Sequence, residues 1–161
     1  MEIKEINFTV EVYTSSADLI EADKTLLEAA RQTTANAYAP YSNFLVGAVA
    51  LLKDGSIITG TNQENASYPV GICAERVLLS AAATIHPGVA INTMAISYNN
   101  VNGISNHPIS PCGMCRQSLA EYEQRTNQPI RIILSGLIGE VYVIQRASQL
   151  LPLTFTAGDM K

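Results

Sequence analysis

Two apolar, partly β-branched runs, Leu45–Leu52 and Ile57–Thr61, are separated only by Lys53-Asp54-Gly55-Ser56. Asp-Gly between such runs is a strong hairpin signal, because both residues tolerate the positive φ that a tight turn demands. An antiparallel strand pair is therefore fixed early, and the other segments must be arranged around it. Upstream, Ile3, Ile6, Phe8, Val10 and Val12 alternate closely enough to predict a strand over 2–13. Ser15, Ser16 and Asp18 offer caps, with Glu21 three residues after Asp18 as in a capping box. Leu26, Leu27, Ala30, Thr33 and Ala37 then follow helical spacing over 22–38, and Pro40 stops that helix. Downstream lie a loop over Asn62–Ile72, a helix over Ala74–Ile85 and a strand over Met94–Tyr98. A helix over Cys112–Gln124, strands over Ile130–Leu134 and Val141–Ile144 and a short helix over Ala147–Leu150 complete the chain. This order of elements predicts an α/β fold, a mixed sheet with helices packed on it.

Length and charge narrow the function. The 161 residues fit one domain, and with 47% hydrophobic and 15% charged residues the composition is that of a globular protein, not a disordered one. A formal charge of −4 with no basic cluster is a poor match for a phosphate backbone, so no nucleic-acid partner is expected. The longest apolar stretch, Phe44–Leu52, is far too short to cross a bilayer, and MEIKEINFTV lacks the apolar core of a signal peptide. A cytoplasmic protein without a membrane partner is the expectation. Three cysteines, an odd number, argue against a disulfide framework and leave free thiols or metal ligands.

The spacing of those cysteines points to a metal. Cys112 and Cys115, three apart in Pro111-Cys112-Gly113-Met114-Cys115-Arg116, can face the same way at the start of a helix. Cys73, in Cys73-Ala74-Glu75-Arg76, supplies a third sulfur at another helix start. Helix N-termini favour thiolates through their free N–H groups and positive dipole end. Three thiolates on a tetrahedral zinc leave one position open, as in catalytic sites; a structural site would need a fourth ligand. His86 and His107, the only histidines, do not have ligand-like spacing and read as structural. With Cys73 at the helix tip, Glu75 approaches the open position without binding it and can carry protons. Arg76 and Arg116, each next to a cysteine, are candidates to donate hydrogen bonds to the sulfurs and withdraw charge. A Cys-x-x-Cys redox pair is the rival reading, but it leaves Cys73 and Glu75 without a role.

At these residues the sequence resembles the zinc-dependent cytidine deaminases, in particular their small homotetrameric three-cysteine class; the zinc-deaminase signature is a known one. The likeness extends through Pro40-Tyr41-Ser42-Asn43-Phe44-Leu45-Val46-Gly47-Ala48, Asn62-Gln63-Glu64-Asn65-Ala66-Ser67-Tyr68-Pro69, Cys112-Gly113-Met114-Cys115-Arg116-Gln117 and Leu150-Leu151-Pro152, in order, over about 23–155. It implies a three-layer fold of about five core strands with helices on both faces, a single domain with a catalytic core over 23–155, and an N-terminal extension over 1–22. It further implies one Zn²⁺ per chain on Cys73, Cys112 and Cys115, with Glu75 as proton carrier. Asn62 and Glu64 would bind the ribose 3′-hydroxyl, Phe44 would pack on the base, and the backbone of Ala74 and Cys112 would fix the pyrimidine. Ala66, Tyr68 and Phe155 would act across interfaces of a homotetramer. The implied activity is hydrolytic deamination of cytidine and 2′-deoxycytidine. A blasticidin-type deaminase of a related nucleoside or base and a non-catalytic zinc-binding member are the alternatives. Met114, where a smaller residue is usual, is expected to alter packing behind the zinc.

Overall fold

A computed structural model describes residues 1–161. Nine regular elements run in the order β1 (Glu11–Tyr13), α1 (Glu21–Thr33), β2 (Phe44–Leu52), β3 (Ile57–Thr61), α2 (Ala74–Ile85), β4 (Ile91–Asn100), α3 (Gly113–Thr126), β5 (Arg131–Ser135) and β6 (Val141–Ile144). The strands form one six-stranded sheet in the order β1-β6-β5-β4-β2-β3. Every pair is antiparallel except β4–β5, whose parallel alignment requires a crossover, and α3 provides it.

Alternation along the strands sends each face to a different helix layer. Ala48, Ala50 and Leu52 of β2 and Met94 and Ile96 of β4 pack with Leu78 and Ala82 of α2 and Leu119 of α3. Val49, Ala95, Ile133, Val141 and Val143 turn the other way and pack against Leu26, Leu27 and Ala30 of α1. Helices therefore cover both faces, as expected. The Asp23 carboxylate ties α1 to β5, accepting two hydrogen bonds from Arg131 at 2.6 Å each. No helix is long and apolar enough to cross a membrane.

Several element boundaries differ from the sequence reading. The strand over 2–13 shrinks to β1, because β6 is four residues long and only Val141–Val143 pair with it. The capping box falls a turn early: Ser15 and Asp18 cap a 3₁₀ turn at Ser16–Asp18, and α1 begins without a side-chain cap. α1 ends at Thr33 and tightens into a 3₁₀ turn over Thr34–Asn36 before Pro40. β4 extends in both directions, since the nine residues of β2 offer partners from Phe44↔Asn100 to Leu52↔Ile91. Ala147–Leu150 is a 3₁₀ helix.

Candidate metal centre

The first turns of α2 and α3 converge, and the three cysteines meet there. Cys73 and Cys112 are the N-cap residues of α2 and α3, both with extended backbone, and neither caps its helix with its side chain. Both sulfurs are thus left for another partner. Cys112 Sγ lies 3.7 Å from Cys73 Sγ and 3.4 Å from Cys115 Sγ, and all three sulfurs lie within 4.8 Å of one another. A tetrahedral zinc with Zn–S bonds of about 2.3 Å needs sulfurs roughly 3.8 Å apart, so the cluster fits the ion with small adjustments. The donor chemistry agrees, since soft thiolates select zinc among the common divalent ions. Hydrogen bonding from Cys115 holds Cys73 down at about 6, while the same bond pushes the Cys115 thiol up.

A close helix–strand approach sets α2 at this height. A Cβ on Gly60 of β3 would lie 2.4 Å from the Ala74 carbonyl oxygen and 2.6 Å from the Leu78 nitrogen. Only glycine lets the first turn of α2 rest on the strand here, and an isolated glycine inside a strand is the sequence sign of such an approach. The sequence reading missed it.

Glu75 is 5% exposed, and burial pushes its carboxyl up from the ordinary glutamate value. It lines a cavity of about 310 Å³ together with Cys73, Ala74, Cys112, Asn62 and Glu64. That volume lies at the lower end of the range for small-molecule sites. The cavity floor is apolar, Val46 and Ile96, and Ile109 and Ser110 form a wall that the sequence reading did not identify.

The polar residues of the cavity are held by their own chain. The Asn62 carboxamide donates to the Phe44 carbonyl at 2.8 Å and accepts from the Val46 amide at 2.7 Å, extending the β2–β3 pairing by one side chain. Glu64 accepts from the amides of Tyr41 and Ser42 and from the Ser42 hydroxyl. These bonds, the hydroxyl's foremost, hold its carboxyl below the usual glutamate value. An Asn retains a further donor and acceptor and a carboxylate further lone pairs, so both can still bind a ligand.

Other expected residues fall less directly at the site. Phe44 stacks on Tyr98, ring centres 4.9 Å apart and planes at 14°, next to the floor formed by Val46 and Ile96. Tyr98, buried on β4, was not singled out from the sequence. Tyr68 borders the cavity but is 76% exposed, and Ala66 and Phe155 are also exposed. Arg76 makes no hydrogen bond to a sulfur and acts on Cys73 only as a nearby charge that lowers its pKa. Arg116, expected to bond to sulfur, instead donates to the carbonyls of Pro111 and Leu150. Met114, expected to alter packing behind the zinc, is exposed on the first turn of α3, outside the buried core. His86 is the C-cap of α2 and sits 3.4 Å from Asp54, while His107 lies 3.3 Å from the Tyr98 hydroxyl; neither approaches the sulfurs as a ligand.

Comparison with known proteins agrees with this geometry. Residues 20–128 match the family model for the cytidine and deoxycytidylate deaminase zinc-binding region. The chain is 42% identical over 135 residues to a cytidine deaminase of Halalkalibacterium halodurans, covering 84% of this chain and 95% of that one. A Mycobacterium tuberculosis cytidine deaminase is 39% identical over 105 residues, 63% of this chain and 74% of the relative. Among solved structures, a Burkholderia pseudomallei cytidine deaminase superposes with a TM-score of 0.71 at 37% identity, covering 85% of this chain and all of its own.

Proposed function

Since the chain belongs to the zinc-dependent cytidine and deoxycytidylate deaminase family, we propose that this enzyme hydrolyses cytidine and 2′-deoxycytidine to the corresponding uridine and ammonia. The observation that carries the proposal is the buried Glu75 carboxyl, lining the same cavity as Cys73 and Cys112. Zinc on Cys73, Cys112 and Cys115 supplies a Lewis acid that lowers the pKa of water to about 7. Glu75 takes a proton from the attacking water on a carboxylate oxygen and hands it to N3 of the pyrimidine; it then takes the second proton from the hydroxyl now on C4 and delivers it to the amine leaving C4. Its burial suits this traffic, because a carboxyl with a raised pKa holds a proton more readily between transfers. Water adds at C4 and ammonia departs, so the atoms balance.

Asn62 and Glu64 face the cavity as a hydrogen-bonding pair suited to the ribose 3′-hydroxyl. A carboxylate at that position repels a 3′-phosphate, which together with the net charge of −4 favours a nucleoside over RNA or DNA. The backbone of Ala74 and Cys112 fixes the pyrimidine, and Phe44 packs against the base. The exposure of Tyr68 and Phe155, 76% and 60%, supports a homotetramer in which they and Ala66 complete neighbouring sites. One domain spans 1–161, with the catalytic core over 23–155 and an extension over 1–22, and the cytoplasm is its compartment.

The test is Glu75→Gln, followed by loss of cytidine absorbance. We expect one zinc per chain to remain and turnover to vanish almost completely; near-normal turnover refutes the assignment. Running cytosine and a nucleoside antibiotic beside cytidine separates the proposed substrate from its analogues.

A further inference from the structure

The two helices that carry the cysteines are steadied by different means, and α3 has no glycine seat of the kind Gly60 gives α2. Its first turn is held from below by one side chain. Pro111, buried just ahead of Cys112, has a carbonyl that belongs to no helix ladder, and a buried carbonyl needs a donor. Arg116 supplies it: Nε donates at 2.7 Å, reaching from the helix back across the N-cap. A second guanidinium nitrogen donates at 2.9 Å to the Leu150 carbonyl, at the C-terminal end of the 3₁₀ helix Ala147–Leu150.

The other end of that 3₁₀ helix is held by Glu123, seven residues on and therefore on the same face of α3. Its carboxylate accepts from the amides of Ala147 at 2.9 Å and Ser148 at 3.3 Å, and from Ile130 at 2.8 Å. A carboxylate thus meets the N–H end of the short helix and a guanidinium its C=O end, each charge matched to the backbone dipole it faces. Both residues fasten the C-terminal segment to α3, but only Arg116 also reaches the residue before Cys112. A lysine cannot reproduce this, because its ammonium is a point donor and the two carbonyls are served by the fixed fork of a guanidinium.

We propose that Arg116 is the positioning residue of the zinc turn: by clasping the Pro111 carbonyl to the Leu150 carbonyl it sets Cys112 Sγ at its spacing from Cys115 Sγ. The proposal rests on the zinc reading above and replaces a direct bond to sulfur with control of backbone placement. Residues outside the ligand sphere that orient ligands typically account for about 10–100-fold in metal affinity.

The experiment compares wild type, Arg116→Met, Arg116→Lys and Glu123→Gln. Zinc affinity is read by competition with a chromophoric chelator, ligand geometry by the visible spectrum of the cobalt-substituted proteins, and stability by thermal unfolding. Arg116→Met is expected to bind zinc about 10–100-fold more weakly and to shift the cobalt bands. Arg116→Lys, the milder change should the first fold poorly, is expected to weaken binding in the same direction without restoring the spectrum. Glu123→Gln is expected to unfold at lower temperature with zinc affinity and cobalt spectrum as in wild type. Zinc affinity within threefold of wild type in the arginine variants overturns the proposal, as does an equal loss in Glu123→Gln, which would trace the effect to the 3₁₀ packing. Wild type that binds no zinc overturns the underlying site reading instead, a separate result.

Discussion

Replacing Gly60 with alanine adds one methyl group and tests whether the height of α2 above the sheet controls the site. The new Cβ would stand 2.4 Å from the Ala74 carbonyl oxygen, 2.6 Å from the Leu78 nitrogen and 2.9 Å from Leu78 Cβ, where 3.4 Å is an ordinary contact. Relief requires a retreat of about 1 Å, and two of the three obstacles are backbone, so no side chain can swing aside. Nor can β3 yield freely, because Gly60 is registered against Ala48 in the β2–β3 ladder. Overpacking of this kind costs about 1–3 kcal/mol, and restricting the unfolded chain returns about 0.4–1. A net loss of about 1–2 kcal/mol in a chain of this length lowers the melting temperature by roughly 2–8 °C. Ala74 directly follows Cys73 and precedes Glu75, so lifting this turn misplaces the proposed metal ligand and the proposed proton carrier together. A 1 Å error at such groups costs on the order of 100-fold in rate. Thermal unfolding and the cytidine absorbance assay, run with Gly113→Ala as comparison, give both numbers. A Cβ on Gly113 would meet open space, so its alanine variant should stay within about 0.5 kcal/mol of wild type. Gly60→Ala with unchanged melting temperature and rate refutes the reasoning.

Three further outcomes are expected. Cys112→Ala should release zinc and lower the melting temperature, because the remaining thiolates lose the cation they share; stoichiometric zinc in a stable variant contradicts this. Asp23→Asn leaves Arg131 without its carboxylate partner, an Asp side chain only 9% exposed, and should cost about 2–3 kcal/mol while zinc content stays unchanged; an unfolding curve that overlays wild type refutes it. Glu64 has a folded pKa below the ordinary glutamate value, so the stability from its bonds to Tyr41 and Ser42 is present above that ordinary value and is lost as pH falls through the lowered one. The difference in melting temperature between wild type and Glu64→Gln should accordingly shrink as pH falls through the lowered pKa, and a difference that widens there shows the sign to be wrong.

What could be read from the sequence divides by how far away the deciding partner lies. The Ile57–Thr61 strand, the Ala74–Ile85 helix and the Val141–Ile144 strand have the expected boundaries, because local signals such as Asp54-Gly55 and Pro87-Gly88 end or begin them. The strand expected over 2–13 does not, because its length is set by β6, some 130 residues downstream, which is short enough to pair with only three residues. The site follows the same division. The cysteine cluster is legible because metal binding constrains residue type and spacing directly, and Cys112, Cys115 and Cys73, which lie together and could hold an ion, carried both signals. The groups that hold those ligands in place are largely not legible. Arg116 is visible beside Cys115, yet its partners are two carbonyls, one of them 34 residues away, and any residue type can supply a carbonyl.

That asymmetry has a physical origin and a consequence for how such a site is built. A metal cluster formed at two helix tips needs each tip fixed to a fraction of an ångström, yet a helix start is where backbone groups are least satisfied. α2 meets the requirement by direct backbone contact over Gly60, and α3 by the Arg116 clasp. The two supports respond differently to change: a close contact fails as soon as any atom is added, whereas a clasp fails only when its donors are lost. Substitution at Gly60 should therefore be costly for every side chain and rise with size, while at Arg116 the cost should follow hydrogen-bonding geometry and not volume. The cysteines alone would give three thiols near one another; in the proposed zinc site these two supports would make them one coordination sphere.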